Sequence, residues 1–204
     1  MIRGATMLAR AAASAVRRMV ARQEQRYGTW RGAVRLLLAL TALRCGLLSA
    51  FRLRQPQPVR RVVFVCLGNI CRSAYAHRVA ASVGMPAASV GLSTCTGAAS
   101  PDCALRAARR GGLDLGTHRA TDLRDFDIQP GDLLVAMEIR HARELRRRLA
   151  GRDDIQIVLL GLWCAPPTPH LHDPYSLSDA YFDHCFARLR QAVLALHHTL
   201  KRSA

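Results

Sequence analysis

The chain has 204 residues, enough for one ordinary domain and an extension. Half of them are hydrophobic, which excludes a disordered polar chain, and the formal net charge is +16. The charge is uneven: eleven arginines and a single acid, Glu24, precede Pro58. The remainder is only mildly basic, carries no zinc-finger spacing and has few aromatics, so nucleic-acid binding by the main domain is not expected. The seven cysteines form no ladder of spacings, which argues against a secreted disulfide scaffold and for a reducing, cytoplasmic setting. The apolar run starts too far from Met1 for a secretory signal, and no small-residue cleavage site precedes the main domain.

Residues 1–57 read as a basic helical extension and linker, and residues 58–204 as the main domain. Met1 to Gln25 is rich in Ala and Arg and free of Pro, a helix-forming composition. Tyr27-Gly28-Thr29-Trp30 predicts a break, with Thr29 capping the next helix. That helix is expected over residues 32–51, apolar around most of its circumference. Its length matches a bilayer, but Arg35 and Arg44 oppose spanning. Three readings stay open for it: a peripheral membrane contact through residues 32–51, a helix packed on the main domain or on another chain, and an organelle transit peptide. Gln55-Pro56-Gln57-Pro58 reads as a short stiff linker.

From Arg60 the pattern changes. Arg61 to Val65 is a continuous β-branched and aromatic run, the mark of a strand buried on both faces. A helix is expected over Ser73 to Val83 and a short strand over Ser89 to Ser93. Ser100 is expected to cap a helix that opens on Pro101 and ends at Gly111-Gly112. Asp132 to Met137 predicts a strand, Ile139 to Leu149 a helix, and Ile155 to Leu160 a buried strand. Ser178 caps a long final helix to about Lys201. Strands alternating with helices predict an α/β fold: a doubly wound, flavodoxin-like, four-stranded parallel sheet with helices on both faces, preceded by the helical extension.

The chemistry sits between the first strand and the next helix. Cys66 and Arg72 are separated by five residues, Leu67, Gly68, Asn69, Ile70 and Cys71, and Ser73 follows. Such a loop curls its N–H groups around an anion, with the helix N-terminus behind it. Gly68 permits tight curvature, and Asn69 tolerates the left-handed conformation. The groups that would hold phosphate also stabilise a thiolate at Cys66, with help from the Ser73 hydroxyl. Arg72 can grip two phosphate oxygens, which Lys cannot. The set suits attack of sulfur on phosphorus. Departure of the ester oxygen needs an acid, and Asp173 in Asp173-Pro174-Tyr175 is the candidate.

These motifs resemble the low-molecular-weight protein tyrosine phosphatases over roughly Arg60 to Leu200. Val65-Cys66-Leu67-Gly68-Asn69-Ile70-Cys71-Arg72-Ser73 is similar to the family loop, and Asp173-Pro174-Tyr175 to its acid loop. Gly116-Thr117-His118-Arg119-Ala120 resembles the segment with the family's buried histidine. Leu162-Trp163 and Ser178 to Asp183 resemble the bacterial branch, whose members act on tyrosine autokinases of capsule and exopolysaccharide export. The resemblance implies a phosphotyrosine protein, such as a membrane tyrosine kinase, as substrate, and neither cofactor nor metal. It implies Cys66 as nucleophile, Arg72 as phosphate clamp and Asp173 as general acid. Ser73, Asn69, Ser93 and His118 would hold the loop in shape, and Cys71 would be the second loop cysteine. Leu67 and Tyr175 would wall the substrate. Ala74 stands where the family usually has Pro, and the Gly97-Ala98-Ala99 loop is smaller than in several relatives. Three rival readings remain: an arginine phosphatase, whose loop tends to carry Thr where this chain has Ile70; a thioredoxin-coupled arsenate reductase, whose relay cysteines are missing from residues 138–149; and a non-catalytic phosphotyrosine-binding module.

Overall fold

The structure, a computed structural model, describes residues 19, 23–54 and 59–203. Four strands, β1 (Arg61–Cys66), β2 (Ala87–Gly91), β3 (Asp132–Ala136) and β4 (Gln156–Leu159), form one parallel sheet in the order β2-β1-β3-β4. The helices are α1 (Trp30–Arg44), α2 (Arg72–Ser82), α3 (Asp102–Arg110), α4 (Ile139–Arg148) and α5 (Asp179–Ser203). This is the doubly wound fold expected from the alternation of strand and helix.

Both faces of the sheet are covered, so its strands are apolar at every position. On β1, Val62, Phe64 and Cys66 face a core built with α2, α3 and α5, while Val63 and Val65 face the other side, with α4. β3 divides the same way, Leu133 and Val135 against Leu134 and Ala136. Tyr75 on α2 stacks on Phe186 of α5, ring centroids 3.9 Å apart.

The second face draws in the N-terminal region. Leu48 and Phe51, 1 % and 4 % exposed, lie in the cluster of Val63, Val65 and Leu134. Burying two such side chains is worth about 1.5–3 kcal/mol each. Residues 48–51, which composition alone groups with the extension, thus belong to the core of the sheet domain. Of the helix expected over residues 1–25, residues 19 and 23–25 are described, as helix, and the Gln55–Pro58 linker lies outside the described residues.

Two local expectations are corrected. The helix expected over residues 32–51 begins at Trp30 with Thr29 as its cap and stops at Arg44. Gly46 adopts φ +74°, its N–H donates to Leu43 O and that of Leu47 to Ala42 O. This paired bonding with a left-handed glycine terminates helices whatever the hydropathy beyond. Fifteen residues reach about 22 Å, short of a hydrocarbon core of about 30 Å. Among the described residues no helix is long and apolar enough to cross a membrane. At α3, Pro101 rather than Ser100 is the cap residue, and the Ser100 hydroxyl is buried without a partner. At α5 the expected cap is present: Tyr181 N–H donates to Ser178 Oγ.

Candidate functional site

β1 ends at Cys66 between β2 and β3, where the strand order reverses and the connections run to opposite sides, the point at which parallel sheets open a crevice at their carboxyl ends. The loop from Leu67 to Cys71 turns over this edge into α2. The first N–H groups of α2 lack intrahelical acceptors and face the loop. Gly91 on β2 makes room: a Cβ there would lie 2.9 Å from Leu67 O and 3.1 Å from Gly68 C. Sequence reasoning gave Gly91 no role, although a glycine ending a buried strand is a sign of close backbone approach.

Asn69 sits at φ +51°, the left-handed conformation expected of it, and is fully buried. Thr121 N–H donates to Asn69 Oδ1 at 2.9 Å, so the amide presents Nδ2 to Ser73 Oγ at 2.8 Å. Ser73, accepting from Asn69, is left to donate its proton to Cys66 Sγ at 3.0 Å. Asn69 N–H reaches the same sulfur at 3.2 Å. Two donors therefore converge on Cys66 before any substrate arrives. His118 Nε2 donates to Asn69 O at 2.6 Å. Burial lowers the His118 pKa against the opposing pull of that carbonyl, with Arg78 and Arg119 adding to the fall, so the ring is neutral. Ser93 joins differently from expectation. Its side chain is exposed and its N–H donates to Leu67 O at 2.9 Å, so it fixes the loop through the backbone.

Arg72, 1 % exposed, is held on two sides. Its Nη1 donates to Glu138 Oε1 at 2.6 Å and to Leu171 O at 2.9 Å, and its Nη2 donates to Asp173 Oδ2 at 2.6 Å. Nε is buried without a partner. That edge of the guanidinium, with the second Nη2 hydrogen, is the fork available to an anion. The carboxyl of Asp173 also accepts from Tyr175 N–H at 3.2 Å and is 34 % exposed, open to water. Leu67 and Tyr175 are exposed apolar side chains, 41 % and 54 %. Cys71 is buried and its thiol pKa is raised, chiefly by that burial. All seven cysteines are free. Among the described residues no cluster of His, Cys, Asp and Glu could hold a metal ion.

Glu138 was not singled out from the sequence, although an acid directly after a buried strand, at the carboxyl edge of a parallel sheet, is a usable signal. It is 1 % exposed and gathers Arg72, Arg140, His141 and His170. Burial works against its carboxylate, but Arg72, His141 and Arg140 outweigh burial and lower its pKa to about 2. Burial lowers His141 to about 3 and His170 to about 4, from 6.5. Both rings are therefore neutral when folded and gain protons on unfolding below pH 6.5. Stability should be full above 6.5 and fall as the pH drops towards 4 and 3, by up to about 1.4 kcal/mol per pH unit for each ring. Glu138 extends the loss below pH 4.5. Urea midpoints between pH 7 and 4 measure this, and His141→Asn with His170→Gln should flatten the slope. A midpoint that holds or rises as the pH falls would contradict it.

The pattern "Low molecular weight phosphotyrosine protein phosphatase" matches residues 61–204. The chain belongs to this family. The phosphatase is 29% identical over 146 residues to the "Probable low molecular weight protein-tyrosine-phosphatase AmsI" of Erwinia amylovora, covering 71% of this chain and 99% of that one. The crystal structure of AmsI superposes with a TM-score of 0.60 at 27% identity, covering 72% of this chain and 97% of the other. The tyrosine phosphatase Wzb from Escherichia coli K30 in complex with sulphate gives 0.59 at 27%, covering 70% and 99%. Both relatives are matched over nearly their full length, and the family match spans residues 61–204.

Proposed function

We propose that this phosphatase hydrolyses phosphotyrosine in proteins through a phosphocysteine. The observation that carries the reading is Arg72, tied to Glu138 on one nitrogen and to Asp173 on the other, over a loop whose hydrogen bonds converge on Cys66. In the first step Cys66 sulfur attacks phosphorus and the bond to the tyrosyl oxygen breaks. Asp173 gives its proton to that oxygen, and tyrosine leaves. In the second step the Asp173 carboxylate takes a proton from water, whose oxygen attacks phosphorus. The sulfur leaves as thiolate and inorganic phosphate is released. The loop N–H groups and Arg72 stabilise the three equatorial oxygens in both steps. Leu67 and Tyr175 give an aryl ester an apolar wall.

The same reading extends to the place of work. The exposed side of α1 carries Trp30, Val34, Leu37 and Leu38 beside Arg31 and Arg35. Arg35 lines one groove with Arg140, Arg143 and Arg147 of α4, alongside Glu138 and Glu144. Apolar residues flanked by arginines suit an anionic membrane surface, and the substrate would be a membrane tyrosine kinase of polysaccharide export, as the bacterial resemblance implies. One experiment tests both parts: hydrolysis, without added metal, of phosphotyrosyl, phosphoseryl and phosphoarginyl peptides, free and tethered to phosphatidylserine or phosphatidylcholine vesicles. Phosphotyrosine should be preferred, and tethering to phosphatidylserine should raise its rate. Preference for phosphoarginine overturns the substrate, and equal rates on the two vesicles overturn the membrane surface.

A further inference from the structure

We infer that the N-terminal helix positions the general acid: Thr29, seated by Gly28 and Gly32, holds His172 and thereby sets Asp173. The inference rests on the role proposed above for Asp173.

Leu171, His172 and Asp173 are consecutive, and each is held by a different means. Arg72 binds the Leu171 carbonyl and the Asp173 carboxyl. Between them, the His172 side chain reaches the extension. Its Nε2 lies 3.1 Å from Thr29 Oγ1. The Thr29 hydroxyl already accepts from Gly32 N–H at 3.0 Å, so its own proton is free for the ring. Burial lowers the His172 pKa, with Glu138 opposing, and a neutral ring can accept at Nε2. The His172 carbonyl accepts from Tyr181 Oη at 3.4 Å, which ties the same residue to α5.

The fit is close enough to demand glycine twice. A Cβ on Gly32 would lie 2.9 Å from the His172 ring and 2.3 Å from Tyr27 O. A Cβ on Gly28, at φ +73°, would lie 2.9 Å from the ring, 2.7 Å from Leu177 and 2.8 Å from Tyr181. Adjacent Cα atoms are only about 3.8 Å apart, so a shift of the His172 backbone is passed to Asp173. The family match begins at residue 61, so the family pattern does not supply this contact.

The test uses the full chain and kcat/KM over aryl phosphates of graded leaving-group acidity. Thr29→Val should lose about tenfold on phenyl phosphate, the shift expected for one hydrogen bond. It should lose nothing on dinitrophenyl phosphate, whose phenolate leaves without a proton. Thr29→Ser should restore the phenyl phosphate rate, and Thr29→Val should add no loss to Asp173→Ala. Gly32→Ala, which displaces the same contact while leaving the hydroxyl, should show the same leaving-group signature. Thr29→Val at the wild-type rate on phenyl phosphate, or a loss equal for all esters and additive with Asp173→Ala, overturns the inference while the phosphatase reading stands. A wild type that hydrolyses no phosphomonoester overturns both.

Discussion

Cys66→Ser is expected to reduce turnover of aryl phosphates below detection while inorganic phosphate still binds. The groups around the sulfur are donors: the Ser73 hydroxyl, turned towards it by Asn69, and the Asn69 N–H. Donors stabilise an anion already formed but take no proton from an alcohol, and a serine hydroxyl is far less acidic than a thiol. The substituted oxygen therefore stays protonated and unreactive. The proposed phosphate cradle consists of backbone N–H groups and of Arg72, which Glu138 and the Leu171 carbonyl hold independently of position 66. Steady-state turnover and calorimetric titration with phosphate on the same preparation read the two properties separately. Measurable turnover would remove Cys66 from the role of nucleophile. Loss of phosphate binding together with turnover would show that the sulfur shapes the loop.

Asp173→Ala is expected to slow hydrolysis of phenyl phosphate by ~10²–10⁴, the span of general acid–base help. The carboxyl is bound to Arg72, the proposed phosphate clamp, and is also open to solvent. It can therefore protonate a leaving oxygen in one step and take a proton from water in the next. Removing it frees Arg72 Nη2, so the substrate should bind no worse and the loss should fall on kcat. Esters of acidic phenols should be spared in the first step, because their oxygen departs unprotonated. A wild-type rate on phenyl phosphate would place the acid elsewhere, and a loss confined to KM would make Asp173 a binding group.

Much of the site was legible because it lies in one local stretch. The strand, the five-residue spacing, Gly68, Asn69 in its left-handed turn, Arg72 and Ser73 are neighbours in the chain, so their geometry follows from local stereochemistry. Asp173 is distant and was legible only in combination with the loop. Glu138, the Leu171 carbonyl and the Thr121 N–H were not, because each acts across 50 to 100 residues and two of them act through the backbone. A backbone group has no residue type to betray it. Ser93 shows the reverse: its hydroxyl suggested a side-chain role, and its N–H makes the contact.

By itself the sequence determined the alternation of strand and helix, the strands buried on both faces, and the strand–loop–helix turn opened by Cys66. Those depend on periodicity and on turn chemistry within a few residues. Tertiary structure alone decided where the basic N-terminal region goes. Hydropathy extends α1 to Phe51, but Gly46 ends it at Arg44, and the chain then turns Leu48 and Phe51 into the face of the sheet that α4 also covers. At the other end of the same helix, Thr29 meets His172, next to Asp173. Neither outcome is written in local propensity, because each depends on which buried surface lies within reach once the sheet has formed.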